Sequence, residues 1–124
     1  MDLPDDHEGR LRCYRLVLRN EVSRLVAREP DYVAFKKRPR EWIEQELPEH
    51  TLIAICHILH EYVESGGEID EQPEMRSEYA HYGFHFDLRI RIGGRHVYFE
   101  TVLEFEDADD EDELTIIVVN AKDV

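Results

Sequence analysis

Between Tyr82 and Phe105 apolar and polar residues alternate on either side of Gly93-Gly94, and this pattern predicts a two-stranded antiparallel hairpin. Both turn glycines tolerate positive φ, which a two-residue turn demands. Counting outward from that turn sets Ile92 opposite Arg95, Ile90 opposite Val97, Leu88 opposite Phe99, Phe86 opposite Thr101, Phe84 opposite Leu103 and Tyr82 opposite Phe105. One face of the ribbon is then almost wholly apolar. A slip of one residue would carry every apolar side chain to the wrong side, so the register is well specified. The opposite face receives His81, His85, Asp87, Arg89 and Arg91 from the first strand. The second contributes His96, Tyr98, Glu100, Val102, Glu104 and Glu106.

Helical periodicity governs the first half of the chain. Over residues 10–28 the side chains Leu11, Tyr14, Leu18, Val22 and Leu25 share one face, with Arg12, Arg15 and Arg19 flanking it, and Pro30 marks the end. A second helix is predicted from about Pro48 to Gly66-Gly67, with Leu52, Ile55, Cys56, Leu59, Tyr62 and Val63 inward. Between them, Lys36-Lys-Arg-Pro-Arg reads as a surface turn, and Trp42, Ile43 and Leu47 as a short helical connection. Glu68 to Gln72 reads as an edge strand stopped by Pro73, and the β-branched run Leu114 to Ala121 as an internal strand. The expected fold is α+β: N-terminal amphipathic helices on one face of a three- to four-stranded antiparallel meander. All 124 residues form one domain, with residues 1–9 disordered and 106–113 an acidic loop.

Charge sharpens this picture because it is unevenly placed. The formal net charge is −14, yet Arg10 to Arg40 holds ten basic residues against Glu21, Glu29 and Asp31. Glu104 to Glu113 holds eight acidic residues and no basic one. Two such blocks attract each other, within one molecule or between copies, so the expected partner is a protein: a second copy, or a basic surface engaged by Glu104–Glu113. A chain this acidic is a poor platform for phosphate backbones, and nucleic acid is not an expected partner. The N-terminal residues lack the pattern of a signal peptide and no apolar run reaches membrane length, so no membrane partner and a cytoplasmic location are expected. Cys13 and Cys56 lie in apolar segments and read as buried thiols, with a single Cys13–Cys56 disulfide as the alternative.

Candidate chemistry comes from the hairpin's polar face. Asp87 opposite Glu100 places two like charges about 5 Å apart, a repulsion of about 3 kcal/mol at an effective dielectric of about 20. A carboxylate pair of this kind suits proton transfer or metal binding, with His85, Arg89 and Tyr98 alongside, and these five are the candidate catalytic residues. The competing reading is a solvated surface network neutralised by arginine. On the second helix His57, His60 and Glu61 are candidate metal ligands, His57 and Glu61 being one turn apart. No GxSxG, P-loop, GxGxxG or CxxC motif is present, and no cofactor is expected.

Residues 48–124 contain "GGRHVYFETVL" and "LTIIVVNAKDV" after a helix, and in the order of their elements they resemble small bacterial toxins of the RelE and MqsR kind. That resemblance implies mRNA cleavage, with Tyr98, Arg89, His96 and Lys122 as candidate participants. Glu100 stands where such toxins often carry lysine or arginine. Absent a catalytic signature, the leading expectation is a protein-interaction or regulatory module. A ribonuclease and a metal-binding protein are the alternatives.

Overall fold

The computed structural model describes residues 4–24, 28–105 and 114–124, the side chain of Phe105 excepted. Among the described residues three α-helices, α1 (His7–Val22), α2 (Lys37–Glu46) and α3 (Leu52–Glu64), accompany five strands. These are β1 (Val33–Phe35), β2 (Ile69–Pro73), β3 (Phe84–Ile92), β4 (Arg95–Phe105) and β5 (Leu114–Asp123). The sheet order is β1-β5-β4-β3-β2, with β1 parallel to β5 and every other pair antiparallel. The α+β class holds. A purely antiparallel meander of three or four strands does not: β1 adds a fifth, parallel strand and interrupts the run of helices.

The hairpin forms in the predicted register. Gly93 and Gly94 take φ of 57° and 85°, the left-handed pair of a type I′ turn, and β3 pairs with β4 from Ile92↔Arg95 to Phe86↔Thr101. Asp87 does lie opposite Glu100 and Leu88 opposite Phe99. Tyr82 departs from expectation. It belongs to a short 3-10 turn, Ser77–Tyr82, closed by Gly83 at φ 76°, so β3 begins at Phe84 and no Tyr82–Phe105 pair forms; the expected Phe84–Leu103 pair also lies outside the β3–β4 ladder, Phe84 pairing with Pro73 of β2.

Packing follows from the alternation. Phe86, Leu88, Ile90 and Ile92 of β3, Val97, Phe99 and Leu103 of β4, and Leu114, Ile116, Val118 and Ala121 of β5 face the helices. Leu11, Tyr14, Val17 and Leu18 of α1 meet them, with Ile55, Cys56, Leu59 and Val63 of α3. Burying each of the larger side chains contributes about 1.5–3 kcal/mol. Tyr14 brings a hydroxyl into this core and loses nothing by it: the group lies 2.9 Å from Thr101 Oγ1, which donates to Phe86 O at 2.9 Å. Between Glu100 and Thr101 the β4–β5 register shifts, so Val119 is the extra residue of a bulge. The bulge returns Ala121 to the core and sets Asn120 beside Glu100, which is why this strand's sequence hides its alternation.

Several element ends move. Asp6 caps α1 through Gly9 N–H, so residues 7–9 are helical rather than disordered, and α1 stops at Ser23, well before Pro30. Leu25 lies outside the described residues. Thr51, not Pro48, starts α3 by accepting from Ala54 N–H. Pro39 sits in the first turn of α2, where a missing N–H costs nothing, so the basic stretch is a helix start rather than a surface turn. Both cysteines are thiols, Cys56 buried and Cys13 half-buried. Among the described residues no helix is long and apolar enough to cross a membrane.

Candidate functional site

The second face of the sheet, turned away from the helices, is a grid of polar side chains in rows across the strands. Asp70 of β2, Asp87 of β3, Glu100 of β4 and Asn120 of β5 stand in one row. Arg89, Tyr98 and Lys122 form the next, and Arg91 and His96 a third at the hairpin tip. Three successive acids side by side are unfavourable unless cations intervene.

The chain supplies those cations from a segment that sequence reasoning passed over. After Pro73 it turns through Glu74 to Arg76 and into the Ser77–Tyr82 turn, which lies against β4. Arg76 Nε bonds Glu74 at 2.8 Å, and Arg76 Nη2 bonds both Glu74, at 3.0 Å, and Glu100. Its guanidinium also lies 4.7 Å from the Tyr79 ring centroid. The Arg76 guanidinium holds the Glu74 carboxyl down at about 2, well below the usual range. Arg89, the neutralising residue expected from sequence, bonds Asp70 at 2.7 Å instead. His85 is where it was anticipated, with Nδ1 2.7 Å from Asp87 Oδ1.

Covered in this way, the pair is not a wet surface. Side-chain exposure is 9% for Asp87, 8% for Glu100, 14% for His85 and 1% for Glu74. Buried carboxylates are costly unless paired, and each of these has a partner. The Tyr98 hydroxyl is 3.4 Å from Glu100. Its pKa is raised first by burial and then by the Asp87 and Glu100 charges, so it stays protonated as a hydrogen-bond donor. Arg89 and Lys122 flank its ring at 5.4 and 5.3 Å.

His85, Asp87 and Glu100 each offer a ligand atom, and the three atoms lie within 4.8 Å of one another. Among the described residues this is the cluster of three metal-ligating groups. His57, His60 and Glu61 do not assemble into another, and His60 turns to Glu64 at 3.6 Å. Of the five sequence candidates, His85, Asp87, Tyr98 and Glu100 come together, while Arg89 stands at the edge beside Tyr98. His96 is one row further away. Glu74 and Arg76 were missed, although their i, i+2 pairing after a strand-ending proline was a signal. Most of the acidic stretch Glu104–Glu113 lies outside the described residues. No family model, no curated protein and no solved structure matches this chain.

Proposed function

We propose that His85, Asp87 and Glu100 form a divalent-cation centre and that the protein uses it for metal-assisted hydrolysis. The observation that carries this reading is the convergence of one ring nitrogen and two carboxylates, all largely buried, within 4.8 Å. Charge supports it. The formal charges of Glu74, Asp87 and Glu100 against that of Arg76 sum to two negative charges, the amount one divalent ion cancels. One nitrogen and two oxygens suit zinc, manganese or ferrous iron better than calcium, and three protein ligands leave coordination positions for water and substrate. The ion would activate a bound water. Protonated Tyr98 would donate a hydrogen bond to the reacting group, and Arg89 and Lys122 beside it favour an anionic ester. RNA cleavage, the activity implied by the resemblance to RelE- and MqsR-like toxins, is one instance of that chemistry.

Titration calorimetry and thermal melting with Zn2+, Mn2+ and Mg2+ test this directly. An ion at 100 times its dissociation constant stabilises by about 2.7 kcal/mol, and the melting temperature should rise by several degrees with Zn2+ or Mn2+. The rise should vanish in His85→Ala and Glu100→Gln and persist in His57→Ala. Loss in His57→Ala alone would transfer the site to α3. No binding by the wild type would end the reading. In that event the His85–Asp87 bond favours metal-free proton transfer, with Asp87 orienting the imidazole.

A further inference from the structure

A trough of about 640 Å3 runs along the free edge of β3, between the hairpin tip and α3. Strand β2 begins at Ile69, opposite Leu88, so beyond Leu88 toward the hairpin tip β3 is unpaired on that side among the described residues. The tight turn makes Ile92 and Arg95 a narrow pair; Ile90 and Ile92 therefore direct their main-chain groups to β4, and Arg91 directs its own outward. Ile58, Tyr62, Ile90 and Ile92 give the trough an apolar floor, with Arg91, His96 and the Asp70-paired Arg89 on one rim and a single acid, Glu61, contributed by α3. Arg91 and His96 have no side-chain hydrogen bond or ion pair among the described residues, although the chain carries a net −14. His50 also lines the trough, and its buried Nδ1 lacks a hydrogen-bond partner among the described residues. Main-chain groups at a strand edge, an apolar floor, a cationic rim and an unsatisfied buried nitrogen fit an extended acidic segment.

We infer that this trough receives the acidic segment Glu106–Glu113 of a second copy of the chain, linking copies head to tail. Of its eight residues only Ala108 is uncharged, and the rest are all acidic, so the segment complements Arg91, whose guanidinium has no carboxylate partner among the described residues. Chain geometry excludes docking within one molecule. Phe105 and Leu114 are paired neighbours, so the eight residues between them reach about 16 Å at most before returning. The trough lies at the opposite end of β4, roughly 33 Å away along an eleven-residue strand. The strand ends that flank the donor segment, Phe105 and Leu114, and the acceptor trough therefore occupy opposite ends of one sheet. A contact between different surfaces does not close on itself as a two-fold dimer does, and it produces an open series of oligomers. The inference is independent of the cation centre, because Arg91 makes no contact with His85, Asp87 or Glu100 among the described residues.

Sedimentation velocity of the full chain over a wide concentration range tests it, at about 20 mM and about 500 mM salt, the latter screening charges beyond a few Å. The wild type should gain mass in successive steps at low salt and return to monomer at high salt. Two variants separate the ends: Arg91→Glu removes the acceptor, and the fourfold Asp107→Asn, Asp109→Asn, Asp110→Asn, Asp112→Asn removes the donor. Each alone should stay monomeric. Their mixture keeps one good trough and one good segment, and should stop at a one-to-one heterodimer. A wild type monomeric throughout, self-association of Arg91→Glu at wild-type strength, or a mixture that stays monomeric would each overturn the inference.

Discussion

The two faces of this sheet arise from one alternation, and they keep water out by opposite means. Toward the helices, the face is apolar and its polar atoms are few: Tyr14, Thr101 and the Phe86 carbonyl close on one another. Away from the helices, the same strands present Asp70, Asp87 and Glu100 in a row, and the chain then covers part of that row with Glu74, Arg76 and the 3-10 turn. The first face lowers the free energy of folding with each contact. The second does so poorly, because removing charges from water offsets most of what their pairing returns. Burial that returns little stability is compatible with a face kept for something else, and the chemistry proposed above accords with that contrast.

The contrast breaks most visibly at the apolar face. Phe86→Ala removes a ring packed edge-on against both Tyr14 and Phe84, at 5.0 and 5.3 Å, and should destabilise by about 3–5 kcal/mol in chemical denaturation. Next is a charge that resembles the second face but stands at the end of α1. Glu21 is buried; its Oε1 accepts from the N–H groups of Asp31, Tyr32 and Val33 at 2.6, 2.7 and 3.2 Å, and its Oε2 accepts from Arg24. Glu21→Ala leaves those donors unmatched at the start of β1 and should cost about 3 kcal/mol. Amide exchange should accelerate first at Val33–Phe35. Unchanged protection there would mean that β1 is held by its parallel pairing with β5 alone.

Glu21 also marks where the sequence stops being legible. The hairpin register, and with it the Asp87–Glu100 juxtaposition, follows from period-two alternation around a turn whose conformation glycine alone takes freely. These are local rules, and they held. β1 is three residues long and owes its place to a carboxylate twelve positions earlier, which no periodicity records. The same holds for Arg76, whose role depends on a segment folding back across 24 positions to Glu100. The β5 bulge reads as an unbroken apolar run until its partner strand is known. Half of the site, the strand-borne half, was therefore readable, and the half that covers it was not.

Removing the cover sharpens the comparison. Arg76→Ala leaves Glu74 and Glu100 without their shared cation; the loss should be about 2 kcal/mol, less than for a fully buried pair because Arg76 is 39% exposed and water screens it. Acid should have a similar effect on the intact protein. Glu74 has a carboxyl depressed from 4.5 to about 2 in the folded state, so its contribution is present above 4.5 and is lost as pH falls through that interval. Stability followed by denaturant titration should therefore drop by about 2 kcal/mol between pH 5 and 2, after the same allowance for screening. Glu74→Gln should flatten that limb. A limb of undiminished depth in the variant would assign the acid sensitivity to other carboxylates.

The smallest effect on stability discriminates best between the two faces. Asp87→Asn keeps the shape of the side chain and removes one of the three neighbouring negative charges, relieving Asp70 on one side and Glu100 on the other. It gives up the charge on a 2.7 Å bond to His85, while an amide oxygen still accepts from the ring. Gains and losses nearly cancel, and the variant should fold within about 1 kcal/mol of the wild type, on the stable side if the relieved repulsion outweighs the weakened bond. An equal change at the apolar face, a buried leucine to asparagine, would be far more costly, since no partner awaits the amide. A site that folds as well or better without its charge, yet no longer binds a divalent ion, holds that charge for the ion. If Asp87→Asn instead destabilises by about 3 kcal/mol or more, the cost of breaking a buried pair, the His85–Asp87 bond is a structural tie and the two faces differ only in the kind of glue they use.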